Sequence, residues 1–256
     1  MTIMNDALTI PQDAAGYGHL YGISTGPGDP ELITLKAARL LSECPVVAYF
    51  CKRSGPGRAR TSCEAHITDE HEELPLVYPV TNEIPHGSPE YRQQIEDFFE
   101  ESAEAVAQHL KAGRSVAVLN EGDAFFYGSF MHIYLRLKDR FESTVVPGVG
   151  AMMAGGALLP HPLMMRDDQL RVIPGTMDEK ALRASIDPER ATVIMKVGTN
   201  LPLLRRIVTD LGLQERAWYV EKASMPEERV MPLVEAPDGK APYFSMVLIP
   251  GPGVRV

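Results

Sequence analysis

Tyr21-Gly22-Ile23-Ser24-Thr25-Gly26-Pro27-Gly28-Asp29-Pro30-Glu31-Leu32-Ile33-Thr34-Leu35-Lys36 compresses a strand, a turn and a helix start into one short stretch. Tyr21, Ile23 and Thr25 alternate with small residues, the period of a strand. Gly26-Pro27-Gly28 then bends the chain, because glycine tolerates positive φ and proline fixes its own. Asp29 suits a helix N-cap and Pro30 the first helical position. Leu32, Leu35, Ala38 and Leu41 recur at helical spacing, so a helix beginning at Pro30 and burying that face is expected. Taken by itself the turn has two readings, an ordinary strand-to-helix connection or a backbone surface pressed against a ligand.

Working outward, Pro45 to Phe50 reads as a buried strand and residues 51–65 as a loop. That loop carries Lys52, Arg53, Arg58 and Arg60 around Ser54-Gly55-Pro56-Gly57. It is either solvated surface or a basic lip for an anionic ligand. Residues 66–88 hold short extended pieces broken by Pro75, Pro79 and Pro85, with Leu76 to Tyr78 the candidate strand. Pro89 to Gly113 has the pattern of an amphipathic helix through Tyr91, Ile95, Phe98, Phe99, Ala103, Val106 and Leu110. Ser115 to Asn120 is a strand running into Glu121-Gly122-Asp123-Ala124-Phe125-Phe126-Tyr127-Gly128. A short helix through Arg136 follows, then a strand, Ser143 to Val146, and Pro147-Gly148-Val149-Gly150.

Strands alternating with helices require an α/β layer with a mostly parallel sheet. Ligands of such sheets lie beyond the carboxyl ends of the strands. The glycine turns at 26–28, 122–128 and 148–150 all follow strands, so they are expected to converge on one edge. The second half differs in texture. A small apolar helix is expected over Ala151–Leu158, strands at 170–174, 191–197, 217–221, 228–232 and 243–249, and helices at 178–185 and 201–211. The last three strands lie close together without long helices between them, which predicts a mixed or antiparallel sheet. The expected organisation is a leader over residues 1–17, an N-terminal domain over 18–146 and a C-terminal domain over 147–256.

A net charge of −9 argues against a generic nucleic-acid binder. Cys44, Cys51 and Cys63 make no disulfide framework, and a reduced, cytoplasmic setting is expected. The N-terminus lacks the basic and apolar regions of a signal peptide, and no stretch is apolar for the length of a membrane span. No GxxxxGK[ST], GxGxxG or HExxH pattern occurs. His66, His71 and the Asp167-Asp168 pair do not have the look of a metal site, and none is expected. The methionines read chiefly as core packing, with Met152, Met153, Met164 and Met165 also able to face a large apolar ligand. Residues 119–128 have two readings as well: a tight turn with core aromatics, or a wall for a flat ring.

The stretch 22–36, together with Leu119 to Gly128 and Val146 to Met152, resembles in order the signature motifs of the tetrapyrrole (corrin/porphyrin) methyltransferases, a likeness spanning about residues 18–250. The resemblance implies two αβα-type domains, the first with a mostly parallel sheet, the second with a mixed one, and a cofactor cleft between them. It implies S-adenosyl-L-methionine as methyl donor, a tetrapyrrole substrate and a homodimer. By the same likeness the cofactor contacts are Pro27, Gly122, Asp123, Ala124, Phe126, Tyr127, Gly150, Ala151, Met195, Ala223 and Met246. A carboxylate-rich tetrapyrrole would meet Lys52, Arg53, Arg58, Arg60 or Arg166, while Asp29 is either a helix cap or a substrate-facing carboxylate. Two positions depart from the family's usual pattern. Ala124 stands where proline is usual, and Gly150 where Ser or Thr is common. Alanine leaves φ unfixed, and glycine removes a hydroxyl. No residue is identified as a base.

Overall fold

The computed structural model describes residues 16–80 and 88–253. It separates into two compact units, Met1–Gly150 and Ala151–Val256. Of the leader expected over residues 1–17, only Gly16 and Tyr17 fall among the described residues. The Tyr17 ring lies 5.4 Å from that of Phe141.

The first unit runs β1 (Leu20–Ser24), α1 (Leu35–Glu43), β2 (Val46–Cys51), α2 (Arg58–Ser62), β3 (Glu72–Val77), α3 (Pro89–Lys111), β4 (Val116–Asn120), α4 (Phe130–Leu137) and β5 (Ser143–Val146). Its five strands form one sheet in the order β3-β2-β4-β1-β5, and every pairing is parallel. Side-chain alternation builds a layer on each face. Leu20, Val46, Ala48, Val116 and Val118 pack against Phe98, Phe99, Val106 and Leu110 of α3 and Phe130, Ile133 and Leu137 of α4. Ile23, Val47, Tyr49, Ala117 and Leu119 point the other way, onto Ala37, Leu40 and Leu41 of α1.

Three details differ from the sequence expectations. The helix after the first turn begins at Leu35, not Pro30. Asp29 caps only a single 3-10 turn, Pro30–Leu32, and Thr34, accepting from the Ala37 N–H at 3.2 Å, caps α1. Ile33 is extended between the two, which breaks the helical run and rotates the buried face to Ala37, Leu40 and Leu41. Leu35 is 92% exposed. The stretch 51–65, expected as a loop, contains α2 and a further 3-10 turn, Glu64–His66. The third strand is longer than Leu76–Tyr78. It is an edge strand, where Pro75 costs no ladder bond on the open side.

The second unit runs α5 (Ala151–Ala157), β6 (Leu170–Pro174), α6 (Glu179–Ser185), β7 (Ala191–Met195), α7 (Leu201–Asp210), β8 (Trp218–Glu221), β9 (Arg229–Pro232) and β10 (Ser245–Ile249). The strand order is β6-β7-β10-β8-β9. The β6–β7 pair is parallel, and the β7–β10, β10–β8 and β8–β9 pairs are antiparallel, so the sheet is mixed. One face, with Ile173, Ile194, Tyr219 and Val247, packs on α6 and α7. The other, with Val193, Val220, Met246 and Leu248, carries α5. Both units are therefore αβα layers, and among the described residues no helix is long and apolar enough to cross a membrane.

Candidate active site

The order β4-β1-β5 makes the three glycine turns neighbours at the carboxyl edge of the first sheet. Backbone geometry joins them. Gly26 and Gly122 exchange hydrogen bonds, Gly26 N to Gly122 O at 3.3 Å and Gly122 N to Gly26 O at 2.8 Å. Both stand at positive φ, 75° and 65°, where a side chain would be strained. Ser24 links the other pair of turns. Its hydroxyl donates to the Val146 carbonyl at 2.6 Å and accepts from the Ala124 N–H at 2.9 Å. Gly148 presses against it, since a Cβ built on Gly148 would lie 2.4 Å from the Ser24 Cβ.

Asp123 is engaged with backbone. One carboxylate oxygen accepts from Phe125 N at 2.9 Å and the other from Gly148 N at 3.0 Å, so it shapes the second turn and fastens it to the third. Asn120 braces the second turn from the strand end, donating to the carbonyl of Glu121 at 2.7 Å and accepting from Phe130 N at 3.2 Å. Pro27 and Ala124 are buried, Phe126 is half-buried, and Phe125 and Tyr127 are exposed. Tyr127 holds φ at 58°, an unusual conformation for an aromatic residue, next to Gly128. Around Gly150, no atom lies within 4 Å of where a Cβ would stand.

Glu121 is half-buried between these turns and α2. Removal from water pushes its carboxyl above the ordinary carboxylate range. The facing backbone N–H of Arg58, the charge of Arg58, the N–H of Ala59 and the charge of Lys52 all act against that rise. The basic residues of the 52–60 stretch divide. Arg60 makes a bidentate pair with Glu73 on β3, at 2.8 and 3.0 Å, and its cation is spent there. Lys52 and Arg53 are exposed and Arg58 is half-buried. Asp29 accepts from Glu31 N at 2.9 Å, the cap reading of the two open for it.

In the second unit Ala151, Met195, Ala223 and Met246 belong to one apolar cluster. Met195 and Met246 are directly paired across β7 and β10. Lys196, Lys222 and Ser224, which flank Met195 and Ala223 in sequence, all adopt positive φ, at 56°, 48° and 64°. Strained backbone thus gathers at the carboxyl ends of β7 and β8. Beneath it a buried Glu221 accepts from the Tyr219 hydroxyl at 2.7 Å and pairs with Arg229 at 3.4 Å. Arg166 stands apart from that cluster. It is exposed, at φ 51°, in a turn where Asp168 accepts from Met165 N at 2.8 Å and Gly253 N at 3.1 Å. Met153, Met164 and Met165, read chiefly as core packing, are exposed instead, because their short helix and turn leave one side uncovered.

Residues 19–236 match the family of tetrapyrrole (corrin/porphyrin) methylases. The chain belongs to that family. A precorrin-2 C(20)-methyltransferase of Sinorhizobium sp is 49% identical over 236 residues, covering 92% of this chain and 96% of the relative. A cobalt-precorrin-2 C(20)-methyltransferase of Salmonella typhimurium is 28% identical over 235 residues, covering 91% and 96%. Among solved structures, a uroporphyrin-III C-methyltransferase of Thermus thermophilus complexed with S-adenosyl homocysteine matches with a TM-score of 0.62 at 26% identity, covering 93% of this chain and 99% of that one. A cobalt precorrin-4 methyltransferase matches with a TM-score of 0.68 at 20% identity over 94% and 98%, a likeness of fold.

For a tetrapyrrole methylase the two departures now have local meanings. The Ala124 N–H is the donor to Ser24, a bond that proline at this position would not make. The missing hydroxyl at Gly150 leaves open space, not a collapsed turn. Sequence reasoning missed Glu121 and Ser24. The signal for Glu121 was its place between Asn120 and the first glycine of a strand exit, where a carboxylate is hard to solvate fully. Ser24 had no signal of its own.

Proposed function

We propose that this chain transfers the methyl group of S-adenosyl-L-methionine to C20 of precorrin-2, giving precorrin-3A in cobalamin biosynthesis. The observation that carries this reading is the 49% identity, across nearly the whole of both chains, to a precorrin-2 C(20)-methyltransferase. The contrast between that 49% and the 28% identity to a cobalt-precorrin-2 enzyme favours the metal-free ring as substrate.

The residues available suit the cofactor. Gly122, Asp123, Ala124 and Gly150 offer backbone surface and open space, Phe126 and Tyr127 offer flat apolar faces, and Pro27 stiffens the first turn. In the second unit Ala151, Met195, Ala223 and Met246 share one apolar cluster. S-adenosylmethionine supplies an already activated methyl group, so the protein's task is alignment and exclusion of water. Residues joined backbone to backbone, as Gly26 is to Gly122, hold such a surface with little freedom to rearrange. Arg58, Lys52 and Arg53 supply cations for the carboxylates of the ring, a local attraction against the long-range repulsion of a net charge of −9. Arg60 is already paired with Glu73, so it is the least available cation of that stretch.

The test is incubation with labelled S-adenosylmethionine and precorrin-2, with and without cobalt, followed by mass analysis of the ring. One added methyl on the metal-free ring is expected. Methylation of the cobalt ring alone would move the assignment to the cobalt substrate. Binding of both ligands without transfer would make the chain a silent tetrapyrrole-binding protein.

A further inference from the structure

Residues 121–129 connect β4 to α4 without forming helix or strand, so no ladder fixes the partners of their backbone groups. One side chain reaches both ends of the stretch. The Asn120 carboxamide donates to the Glu121 carbonyl at 2.7 Å and to the Asp123 carbonyl at 3.3 Å, and its oxygen accepts from Phe130 N at 3.2 Å. Two carbonyls on one side of the amide and an N–H on the other call for two donors and an acceptor in one plane, which aspartate, leucine and serine lack. Asn120 is 5% exposed, so water is a poor substitute for these partners. Ser129, at the N-cap of α4, makes no side-chain cap bond, its hydroxyl meeting that of Tyr78 at 2.5 Å instead. The Phe130 N–H, first of that helix, is therefore satisfied from Asn120. Gly128 makes room for this, since a Cβ there would lie 2.5 Å from Asn120 Nδ2 and 2.6 Å from Oδ1.

Between those bonds lies Tyr127, at φ 58°, its ring exposed and 5.0 Å from that of Phe126. An aromatic residue keeps such a conformation where its surroundings over-determine it. Ser24, holding Ala124 N, and Asp123, holding Phe125 N and Gly148 N, fix the first half of the stretch. Asn120 joins that half to the start of α4 and so closes on Tyr127 from both sides. Resting on the methyltransferase reading above, we propose that Asn120 is a positioning residue for S-adenosylmethionine. Its polar atoms are engaged by backbone, and it acts through the 121–130 stretch, which it holds in the binding shape before the ligand arrives. Preorganisation of this kind has a separable signature. A loosened turn must be ordered by the ligand, which weakens binding, while the complex once formed keeps its geometry and its rate.

The experiment compares wild type, Asn120→Ala, Asn120→Asp, Asn120→Ser and a core control, Val106→Ala. Each is titrated calorimetrically with S-adenosylmethionine, turned over with S-adenosylmethionine and precorrin-2, and unfolded in urea. Asn120→Ala is expected to raise Kd and KM for S-adenosylmethionine by about tenfold, with kcat and the KM for precorrin-2 at saturating cofactor within about twofold of wild type. Asn120→Asp keeps the shape and the acceptor for Phe130 N but turns an oxygen toward the Glu121 and Asp123 carbonyls, so it is expected to bind no more tightly than Asn120→Ala. Amide exchange at Phe130 is expected to accelerate in Asn120→Ala and to slow again when S-adenosylmethionine is added. Val106 is buried against α4 and makes none of the turn's hydrogen bonds. Its truncation is expected to lower the urea midpoint with Kd within about twofold of wild type, which separates positioning from a general loss of stability. If Asn120→Ala does not fold, Asn120→Ser carries the comparison, with Kd expected to rise at least about threefold because a hydroxyl cannot keep all of the amide's bonds. Unmoved affinity in every folded Asn120 variant, full affinity in Asn120→Asp, or a loss in Val106→Ala equal to that in Asn120→Ala overturns the positioning role, while methyl transfer by the wild type leaves the methyltransferase reading intact. A wild-type protein that neither binds S-adenosylmethionine nor methylates precorrin-2 overturns that reading and this role with it.

Discussion

Ser24→Ala removes a side chain that links the β1 exit to both the β4 and β5 exits. In the native structure its hydroxyl donates to Val146 O at 2.6 Å and accepts from Ala124 N at 2.9 Å. Ser24, Ala124 and Val146 are all buried, so water does not replace the lost partner. The close approach of Gly148 to the Ser24 Cβ leaves no room on that side either. Val146 ends a strand and its carbonyl has a second lone pair, so the larger penalty falls on the orphaned Ala124 N–H. A buried polar group left unpaired costs about 1–3 kcal/mol, and with the weakened carbonyl bond the expected loss is about 2–3 kcal/mol. That corresponds to amide exchange at Ala124 faster by about 30- to 150-fold, at about 1.4 kcal/mol per factor of ten. The measurement is native-state hydrogen exchange over 119–125, with urea unfolding followed by far-UV circular dichroism. Trp218, the only tryptophan, lies in β8, so its fluorescence reports the second unit and serves as an internal comparison. A change of less than about 0.5 kcal/mol, the range of an ordinary surface substitution, would refute the linkage.

Other outcomes follow from the same coordinates. Gly150→Ser places a hydroxyl in open space, so stability should change by less than about 0.5 kcal/mol while calorimetry shows tighter S-adenosylmethionine binding; weaker binding would remove Gly150 from the cofactor surface. Burial pushes the Cys44 and Cys63 thiols up to about 12, so an aromatic disulfide reagent should modify both in the folded protein at least about a hundredfold more slowly than in urea. Glu73 is held below the ordinary carboxylate range first by its hydrogen bonds from Arg60. The stability from that pair is therefore present above the unfolded pKa and lost as pH falls through the folded one, and Glu73→Gln should flatten the acid side of a midpoint-against-pH curve. An unaltered slope would mean that the pair contributes nothing.

What the sequence made legible were the features that local chemistry determines. The three glycine turns follow strands, and the alternation of strands with helices requires a parallel sheet, so their meeting on one edge could be inferred before any coordinates. The helix α2 escaped because Arg58 to Ser62 has no apolar period and Gly57 before it offers no side-chain cap. The start of α1 was displaced because Asp29 is a true cap, but of a separate turn, and Thr34 takes over after the extended Ile33. Pro75 disguised most of β3, since nothing local reveals that a strand lies at an edge. In the second unit the clustering of Met195, Ala223 and Met246 was not legible, because no pattern in those residues says that they share a cluster.

The position of β1 has a consequence for the order in which the molecule is made. Among the described residues it is the first strand in chain order, yet it lies between β4 and β5 and pairs with neither β2 nor β3. On a growing chain Gly22 and Ile23 have no partners until Val118 and Leu119, and then Val145 and Val146, have emerged. A strand waiting for such distant partners exposes its edge and its apolar face, and pairing over that separation is slow. The stretch built around β1 is thus among the last parts of its sheet to take final form. Its glycine turn acquires its shape only when Gly122 arrives to clasp Gly26, so a nascent chain halted before β4 would contain the motif without the surface it builds.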